Sequence, residues 1–180
     1  MSEDVFVSAN LAVGNEVDEL YLVDLEQKEN DRKAFYSALT LLNYRMRSTA
    51  ELRKRLIQKE YYHDTIDRVI EKLNEKKFLN DETFARAFIN DKINNRLLGP
   101  VALRRELFPH KLDNELIEKL LLKAYEETPE IELVERLLLK RRINEGQKLT
   151  QKEKNRLINF LQRRGHTWGV INSVLNKWML

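Results

Sequence analysis

The sequence predicts an all-α fold of three tandem three-helix repeats. The first observation is an apolar spacing that returns about every fifty residues, with Leu56, Leu107 and Leu161 as its reference points. Another leucine stands four residues before each reference leucine, and apolar residues follow ten, thirteen, fourteen and seventeen residues after it. The second observation is composition, because 42% apolar and 34% charged residues with only five Gly and three Pro favour helices. A repeat of this length buries its apolar face by stacking on its neighbours, and such arrays usually serve as binding surfaces.

Three helices are predicted in each repeat, and the apolar positions divide among them. The first helix carries apolar residues at relative positions 0, 3 and 4, which share one helical face. These residues are Phe35, Ala38 and Leu39, then Phe84, Ala87 and Phe88, then Val134, Leu137 and Leu138. The second helix carries the two leucines of each repeat, Leu52 and Leu56, Leu103 and Leu107, Leu157 and Leu161. The third helix carries Ile66, Val69, Ile70 and Leu73, then Ile117, Leu120, Leu121 and Ala124, then Ile171, Val174, Leu175 and Trp178.

The second helices begin at recognisable capping residues. Ser48 with Glu51, and Thr150 with Glu153, have the spacing of a capping box, in which the hydroxyl accepts the N–H of the third helical residue. In the middle repeat Pro100 is preset for the first helical turn. Each second helix is therefore predicted to start at its capping residue.

The ends of these helices are also predicted. Pro109 disfavours helical geometry at the residue before it, so the middle second helix should end by about Leu107, and the second helices should be short. Gly165 can end the third one through a left-handed turn. Asn80 or Asp81 is predicted to cap the first helix of the second repeat.

Charge is divided unevenly along the chain. Residues 1–31 hold nine acids against one base, a net of −8, while the remainder holds 31 bases and 20 acids, a net of +11. The acids from Asp18 onward indicate a helix start, because carboxylates favour the positive end of a helix dipole. The basic repeat body suggests an anionic partner, either nucleic acid or an acidic protein groove. An ordinary helical surface with a slight excess of bases explains the charge about equally well.

Fourteen basic residues are candidates for contact with such a partner. The pairs Arg53–Lys54 and Arg104–Arg105 occupy equivalent steps after the second-helix leucine, so in-register repetition would place cations at intervals along one side of the array. The alternative is that these positions simply hold good helix formers. The candidates are Arg45, Arg47, Arg53, Lys54, Arg86, Lys92, Arg96, Arg104, Arg105, Lys140, Arg141, Arg142, Arg163 and Arg164.

No catalytic constellation is visible, so the chain is expected not to be an enzyme and to need no metal or other cofactor. His63, His110 and His166 lie far apart near turns and are expected to be solvated, and the chain has no cysteine to complete a metal site. No glycine-rich phosphate loop is present. The aromatic residues of the first helices are expected to pack in the core, whereas Trp168 is a candidate for partner contact.

Targeting signals are equally scarce. No apolar run approaches the roughly 18 residues that span a bilayer, and the N-terminus is acidic rather than basic-then-apolar. The absence of cysteine fits a reducing compartment. We therefore expect a soluble cytoplasmic protein that does not bind membranes.

Four motifs placed in order on this repeat resemble the RecX family of RecA regulators. The resemblance covers about residues 33–178, and residues 3–17 are similar to the end of an N-terminal extension of longer members. Where the family often has Gly after the second helix, this chain has Glu60 and Lys111. The motifs are Ser48-x-x-Glu51-Leu52-x-x-x-Leu56, Leu79-Asn80-Asp81-Glu82-x-Phe84-Ala85-Arg86-Ala87-Phe88, Gly99-Pro100-x-x-x-Arg104-x-Glu106-Leu107 and Arg164-Gly165.

The resemblance implies three helix-turn-helix-like repeats in an elongated, curved array: 33–79, 80–127 and 128–180, after an acidic segment 1–32 that is the remnant of a longer extension. It implies a monomeric, non-catalytic protein that binds the RecA–single-stranded DNA filament in its helical groove. Such a protein inhibits ATPase and strand exchange, and thereby modulates recombination, DNA repair and the SOS response. Direct DNA binding by a helical-repeat module is the alternative, and a scaffold without any link to nucleic acid is a third.

Overall fold

Nine α-helices, a short 3₁₀ turn and connecting loops form the part of the chain that the computed structural model describes, residues 18–179, and no strand occurs there. The all-helical prediction with three helices per repeat is confirmed. The helices are α1 (Glu19–Tyr44), α2 (Thr49–Ile57), α3 (His63–Glu75), α4 (Asp81–Arg96), α5 (Pro100–Leu107), α6 (Asn114–Glu127), α7 (Glu130–Lys140), α8 (Gln151–Arg163) and α9 (Trp168–Trp178). The stretch 1–17, which the sequence leaves ambiguous between strand and helix, lies outside the described residues.

The repeated apolar positions form the cores. All eighteen residues predicted for the second and third helices are at most 8% exposed, and the three reference leucines are fully buried. Burying one such side chain stabilises a fold by about 2 kcal/mol relative to leaving it in water. The in-register spacing of the sequence is therefore the packing pattern of the molecule.

One of the predicted first-helix positions is wrong. Ala87 is exposed, and α4 instead buries Phe84, Ala85, Ile89 and Ile93. The last three of these recur every four residues, so they offer a longer apolar stripe than the predicted trio, and the helix turns that stripe inward. The corresponding residues of α1 and α7 are buried or pack partly against their cores, as predicted.

The first compact unit ends at Asp81 and contains α1, α2 and α3 around a core of their own. Its first helix starts where the acids predict, with Asp18 as the N-cap accepting the N–H of Leu20. The helix then continues without a break past residue 32, the predicted end of the acidic segment. Asp31 holds it against α3 through two hydrogen bonds of 2.7 Å from the Arg68 guanidinium.

The second compact unit, Glu82–Leu180, contains the second and third repeats. Buried residues from α4 to α9 form one continuous apolar cluster. Two of the three predicted repeats therefore share a single core. No helix in the described region is both long and apolar enough to cross a bilayer.

Capping residues act largely as predicted. Thr150 and Glu153 form a complete capping box, and Ser48 accepts the N–H of Glu51. Asp81 is not a cap: it is the first residue of α4, and its carboxylate accepts the N–H of Thr49 at 2.7 Å. The helix α5 ends at Leu107, as predicted, whereas α8 has 13 residues and is not short.

A left-handed residue follows the second helix at the same position in each repeat. Glu60, Lys111 and Gly165 have φ values of 64°, 51° and 83°. A Cβ on Gly165 would lie only 2.2 Å from the backbone nitrogen of Ala102 on α5. Glycine is therefore required sterically in the third repeat, whereas Glu60 and Lys111 project their side chains into solvent.

Candidate partner-binding surface

The repeated pairs of bases separate into one bound and one available residue. Arg53 lies 2.5 Å from the Asp67 carboxylate, and Arg104 makes two hydrogen bonds of 2.6 Å to Glu118. The two carboxylates occupy equivalent positions on α3 and α6, so the same ion pair joins the second helix to the third in both repeats. The hydrogen bond from Arg104 outweighs partial burial and holds the pKa of Glu118 below its usual value.

The second member of each pair has no such partner. Lys54 and Arg105 are exposed, and the side chain of neither makes an ion pair or hydrogen bond with another residue between 18 and 179. An exposed cation without a carboxylate keeps its full charge for an external partner. The predicted contact surface therefore retains these two residues more strongly than their neighbours in sequence.

Arg45 and Arg47 are engaged at the start of α2. Arg47 is only 7% exposed, and its Nε donates to the Leu41 carbonyl at 3.1 Å. Both guanidiniums also bind the Glu51 carboxylate. Burial alone would raise the pKa of Glu51, but the two arginines outweigh burial and hold it below its usual value. Arg47 therefore supports the fold, and its side chain is not accessible to a partner.

Three candidates on α4 lie in ion pairs, in which Arg86 and Arg96 are exposed and Lys92 is half-buried. Arg86 pairs with Glu82 at 2.8 Å, while Lys92 and Arg96 share Glu106 at 3.4 Å and 2.9 Å. An exposed pair such as that of Arg86 contributes at most about 1 kcal/mol, so its cation can exchange an internal carboxylate for an external one. All three residues therefore remain candidates for contact with a partner.

Side chains from elsewhere in the second unit satisfy the carbonyl groups at the end of α4. A helix leaves its last carbonyls without intrahelical partners. The carbonyl of residue 96 accepts a hydrogen bond from the Arg164 guanidinium. The carbonyl of residue 97 lies 3.1 Å from His166 Nε2, and that of residue 98 accepts from the Tyr125 hydroxyl at 2.8 Å. Arg164 is therefore fastened to the fold, although the family motif makes it a favoured contact residue.

His166 contradicts the prediction that all three histidines are solvated. It is 3% exposed. Its Nδ1 lies 3.3 Å from a Glu130 carboxylate oxygen, and its Nε2 lies 3.1 Å from the Leu97 carbonyl oxygen on the other side of the ring. Glu130 also accepts from the backbone N–H of Thr167 at 2.6 Å and from its hydroxyl at 2.9 Å. Both ring nitrogens thus lie beside acceptor oxygens, one of a carboxylate and one of the main chain.

The carboxyl that pairs with this histidine is itself perturbed. Burial raises the pKa of Glu130, but the hydrogen bonds from His166 and Thr167 outweigh burial and hold it below its usual value. The other two histidines differ: His63 is exposed at the start of α3, and His110 packs against the rings of Phe84 and Phe88. A metal site is not formed by any of the three, because no group of three potential ligands meets within residues 18–179.

Most of the excess positive charge lies in residues 136–164, which we name the basic segment. It holds ten bases against two acids, a net of +8 out of the +11 of the whole repeat body. Lys140, Arg142 and Arg163 are exposed there and make no ion pair with another described residue. Arg136, Lys148 and Lys152 share this property, and the half-buried Lys154 also lacks an ion pair among the described residues. The sequence motifs do not include these four bases, although their density in this stretch of the sequence indicates them.

Arg141 occupies a different position in the basic segment. Its guanidinium lies 3.8 Å from the centre of the Phe160 ring, and that of Arg164 lies 5.4 Å away. Such cation–π contacts orient a guanidinium without neutralising it. Trp168, the aromatic contact candidate, is exposed at the start of α9.

Family models match the three repeats separately. They are described as the first three-helix domain of RecX at residues 34–73, the second at 80–121 and the third at 129–175. Similar curated proteins include "Regulatory protein RecX" of Bacillus subtilis (strain 168), 35% identical over 97% of this chain, and its counterpart in Bacillus pumilus (strain SAFR-032), 31% identical over 97%. The chain spans 66% of the length of each of these two relatives.

Solved structures show the same fold at lower identity. A crystal structure described as regulatory protein RecX has a TM-score of 0.80 at 22% identity and covers 97% of this chain and 86% of its own. That of RecX from Lactobacillus salivarius has a TM-score of 0.70 at 20% identity and covers 84% of this chain and 97% of its own. These two structures show that the fold is shared, and the family models and similar sequences identify the family.

Proposed function

Because this chain belongs to the RecX family of regulatory proteins, we propose that it binds the RecA–single-stranded DNA filament and inhibits its ATPase and strand-exchange activities. In this proposal the protein lodges in the helical groove of the filament, acts as a monomer in the cytoplasm, and performs no catalysis of its own. It would thereby restrain recombination, DNA repair and the SOS response.

The observation that carries this proposal is the distribution of bases that lack carboxylate partners. Arg47 and Arg164 are held within the fold, and Arg53 and Arg104 lie in ion pairs, whereas the exposed bases of the basic segment make no ion pair with any residue that the structure describes. A net of +8 within residues 136–164 favours association with a strongly anionic assembly, and a filament of protein on DNA is such an assembly.

The test is ATP hydrolysis by RecA on single-stranded DNA, titrated with this protein at several salt concentrations. We expect hydrolysis to fall as the protein is added, and the inhibition to weaken as salt increases, because exposed charges are screened within about 8 Å at physiological ionic strength. A triple variant, Lys140→Glu, Arg142→Glu and Arg163→Glu, should inhibit less than the wild type. Unchanged hydrolysis at saturating wild-type protein would contradict the proposal.

Direct binding to DNA is the second candidate function, and the same basic segment supports it. The third helices α3, α6 and α9 carry few bases, so base-specific reading in a groove is not favoured and the contacts would be to phosphates. Gel shifts with single-stranded and duplex DNA in the absence of RecA separate the two. Tight, sequence-specific complexes that survive high salt would favour the DNA-binding module.

A further inference from the structure

The exposed face of the second repeat's second helix carries a base between two apolar residues. Val101, Arg105 and Phe108 stand at i, i+4 and i+7, so they line one side of α5 and the turn that follows it. Val101 is 53% exposed and Phe108 82% exposed, and Arg105 has no ion-pair partner among the described residues. A phenylalanine so exposed leaves most of its apolar surface in water, which favours burial against a partner.

The first repeat displays the same arrangement at equivalent positions. Ala50, Lys54 and Ile57 lie at i, i+4 and i+7 on α2. Ile57 is 42% exposed, and Lys54 is exposed without an ion-pair partner in the region that the structure describes. We name these two sets of three residues the cation–apolar stripes.

The third repeat provides an internal comparison. Its equivalent positions on α8 hold Asn155, Asn159 and Gln162, which are exposed, polar and uncharged. The stripe is therefore not a by-product of building a second helix in this repeat. It distinguishes the first two repeats from the third, which carries the basic segment instead.

An apolar groove borders the stripe of the second repeat. It has a volume of about 380 Å³, and Leu107, Phe108, Pro109, Leu112 and Ile117 form its apolar wall. Lys111 and the Arg104–Glu118 ion pair stand at the same groove. An apolar surface beside a cation such as Lys111 is complementary to an apolar side chain flanked by a carboxylate.

We propose that the cation–apolar stripes dock on an acidic, partly apolar protein surface, and not on nucleic acid. This inference rests on the proposed function, in which that surface belongs to the recombinase protomers of the filament. Phe108 is the one stripe residue with a ring on which a base could stack, and each stripe supplies one cation where a phosphate backbone engages several. The stripes thus contact protein, while the basic segment faces the more strongly anionic part of the assembly.

Filament binding by single variants tests this assignment. Affinity for RecA–single-stranded DNA filaments, and for single-stranded DNA alone, is measured for Arg105→Glu and Phe108→Ser. We expect each variant to lose about tenfold or more in filament affinity, the size of a central contact, while its affinity for free DNA stays unchanged. Lys54→Glu and Ile57→Ser repeat the test independently in the first repeat.

Matched controls come from the third helix of the same repeat. Lys119→Glu makes the same charge change as Arg105→Glu at an exposed position off the stripe that has no ion pair within residues 18–179, and Leu122→Ser removes a comparably exposed apolar side chain. Both should bind filaments within about twofold of the wild type, and circular dichroism should show unchanged helix content in all variants.

The outcomes separate the two proposals. Wild-type protein that fails to bind filaments contradicts the proposed function and this inference together. If the wild type inhibits hydrolysis but the stripe variants bind filaments as tightly as the control variants do, the docking role of the stripes is contradicted and the proposed function is not. An equal loss of affinity for free DNA in Arg105→Glu and Phe108→Ser would make the stripe a nucleic-acid contact.

Discussion

Arg104 and Arg105 are adjacent in the sequence but have different roles in the structure. Arg104 joins α5 to α6 through Glu118, while Arg105 points to solvent without an ion pair among the described residues. The same division recurs at Arg53 and Lys54. In each of the first two repeats one base therefore joins the second helix to the third, and its neighbour remains available for a partner.

Buried Arg47 offers a residue-scale prediction about stability. Replacing it with Met keeps much of the apolar stem but leaves the Leu41 carbonyl without its donor and Glu51 with one guanidinium fewer. We expect Arg47→Met to lower the free energy of unfolding by roughly 2 kcal/mol, because buried polar groups left without partners are costly. Urea denaturation followed by circular dichroism measures this change.

Lys54→Met is the matched control, since it removes the same charge from an exposed position nearby that has no ion pair in the described part of the chain. Its free energy of unfolding should stay within about 0.5 kcal/mol of the wild type. Equal losses in the two variants would mean that Arg47 contributes no more to the fold than a surface base.

The sequence predicts which residues are basic and which are core, but it does not predict which bases are paired. The spacing of Leu56, Leu107 and Leu161 is local, so it could be recognised along the chain. The partners of Arg53 and Arg104 lie on another helix, and only tertiary packing brings them together. His166 was missed for the same reason, because Glu130 and the end of α4 are distant in sequence.

At the scale of the helices, the contact between α5 and the turn after α8 depends on two glycines. The Gly99 N–H donates to the Arg164 carbonyl at 2.9 Å, and the Val101 N–H donates to the Gly165 carbonyl at 3.1 Å. Main chains approach this closely only where no side chain intervenes. The turn was predicted from the sequence, but its contact with α5 was not, because a glycine in a turn has the same local signature with or without a neighbour.

Gly165→Ala should therefore be much more harmful than an ordinary glycine substitution. The new methyl group would meet a left-handed backbone, which costs about 1 kcal/mol, and would also overlap Ala102, which adds roughly 1–3 kcal/mol. We expect a loss of more than about 2 kcal/mol in the free energy of unfolding, measured by urea or thermal denaturation.

Gly146→Ala separates the cost of the left-handed backbone from the cost of steric overlap. Gly146 also has a positive φ of 76°, but nothing lies within 4 Å of the position of an added Cβ. Its substitution should cost only the backbone term of about 1 kcal/mol. Similar losses at the two glycines would show that the close approach to α5 contributes nothing to stability.

On the scale of the whole molecule, three sequence repeats give two compact units. The first repeat has its own core, whereas the second and third share one. Apolar periodicity predicts how each repeat packs internally, but it does not predict which repeats share a core. The second and third repeats are joined by contacts such as those of His166 with the Leu97 carbonyl and of Arg164 with the Arg96 carbonyl, which a comparison of the repeats one by one does not reveal.

The Glu130–His166 contact predicts an acid-sensitive second unit. Because hydrogen bonds hold the pKa of Glu130 below its usual value of 4.5, its ionised form stabilises the fold above that pH. This contribution is lost as the pH falls from about 4.5 through the lower pKa of the folded state. Glu130→Gln should therefore be less stable than the wild type at neutral pH.

Unfolding of the two proteins measured between pH 6 and pH 3 tests this prediction. The difference in unfolding free energy should shrink toward pH 3, because the wild type loses its carboxylate there and the variant has none to lose. Parallel curves for the wild type and Glu130→Gln would show that this carboxylate does not couple proton binding to folding.

The left-handed turn after the second helix also limits how such a chain can evolve. Glu60 and Lys111 occupy this turn in the first two repeats, but only a hydrogen atom fits where Gly165 meets Ala102. A copy of either earlier repeat could not take the place of the third one without forcing a side chain into the neighbouring main chain. The repeats are therefore not interchangeable, and a duplicate of the first or second repeat could not replace the third.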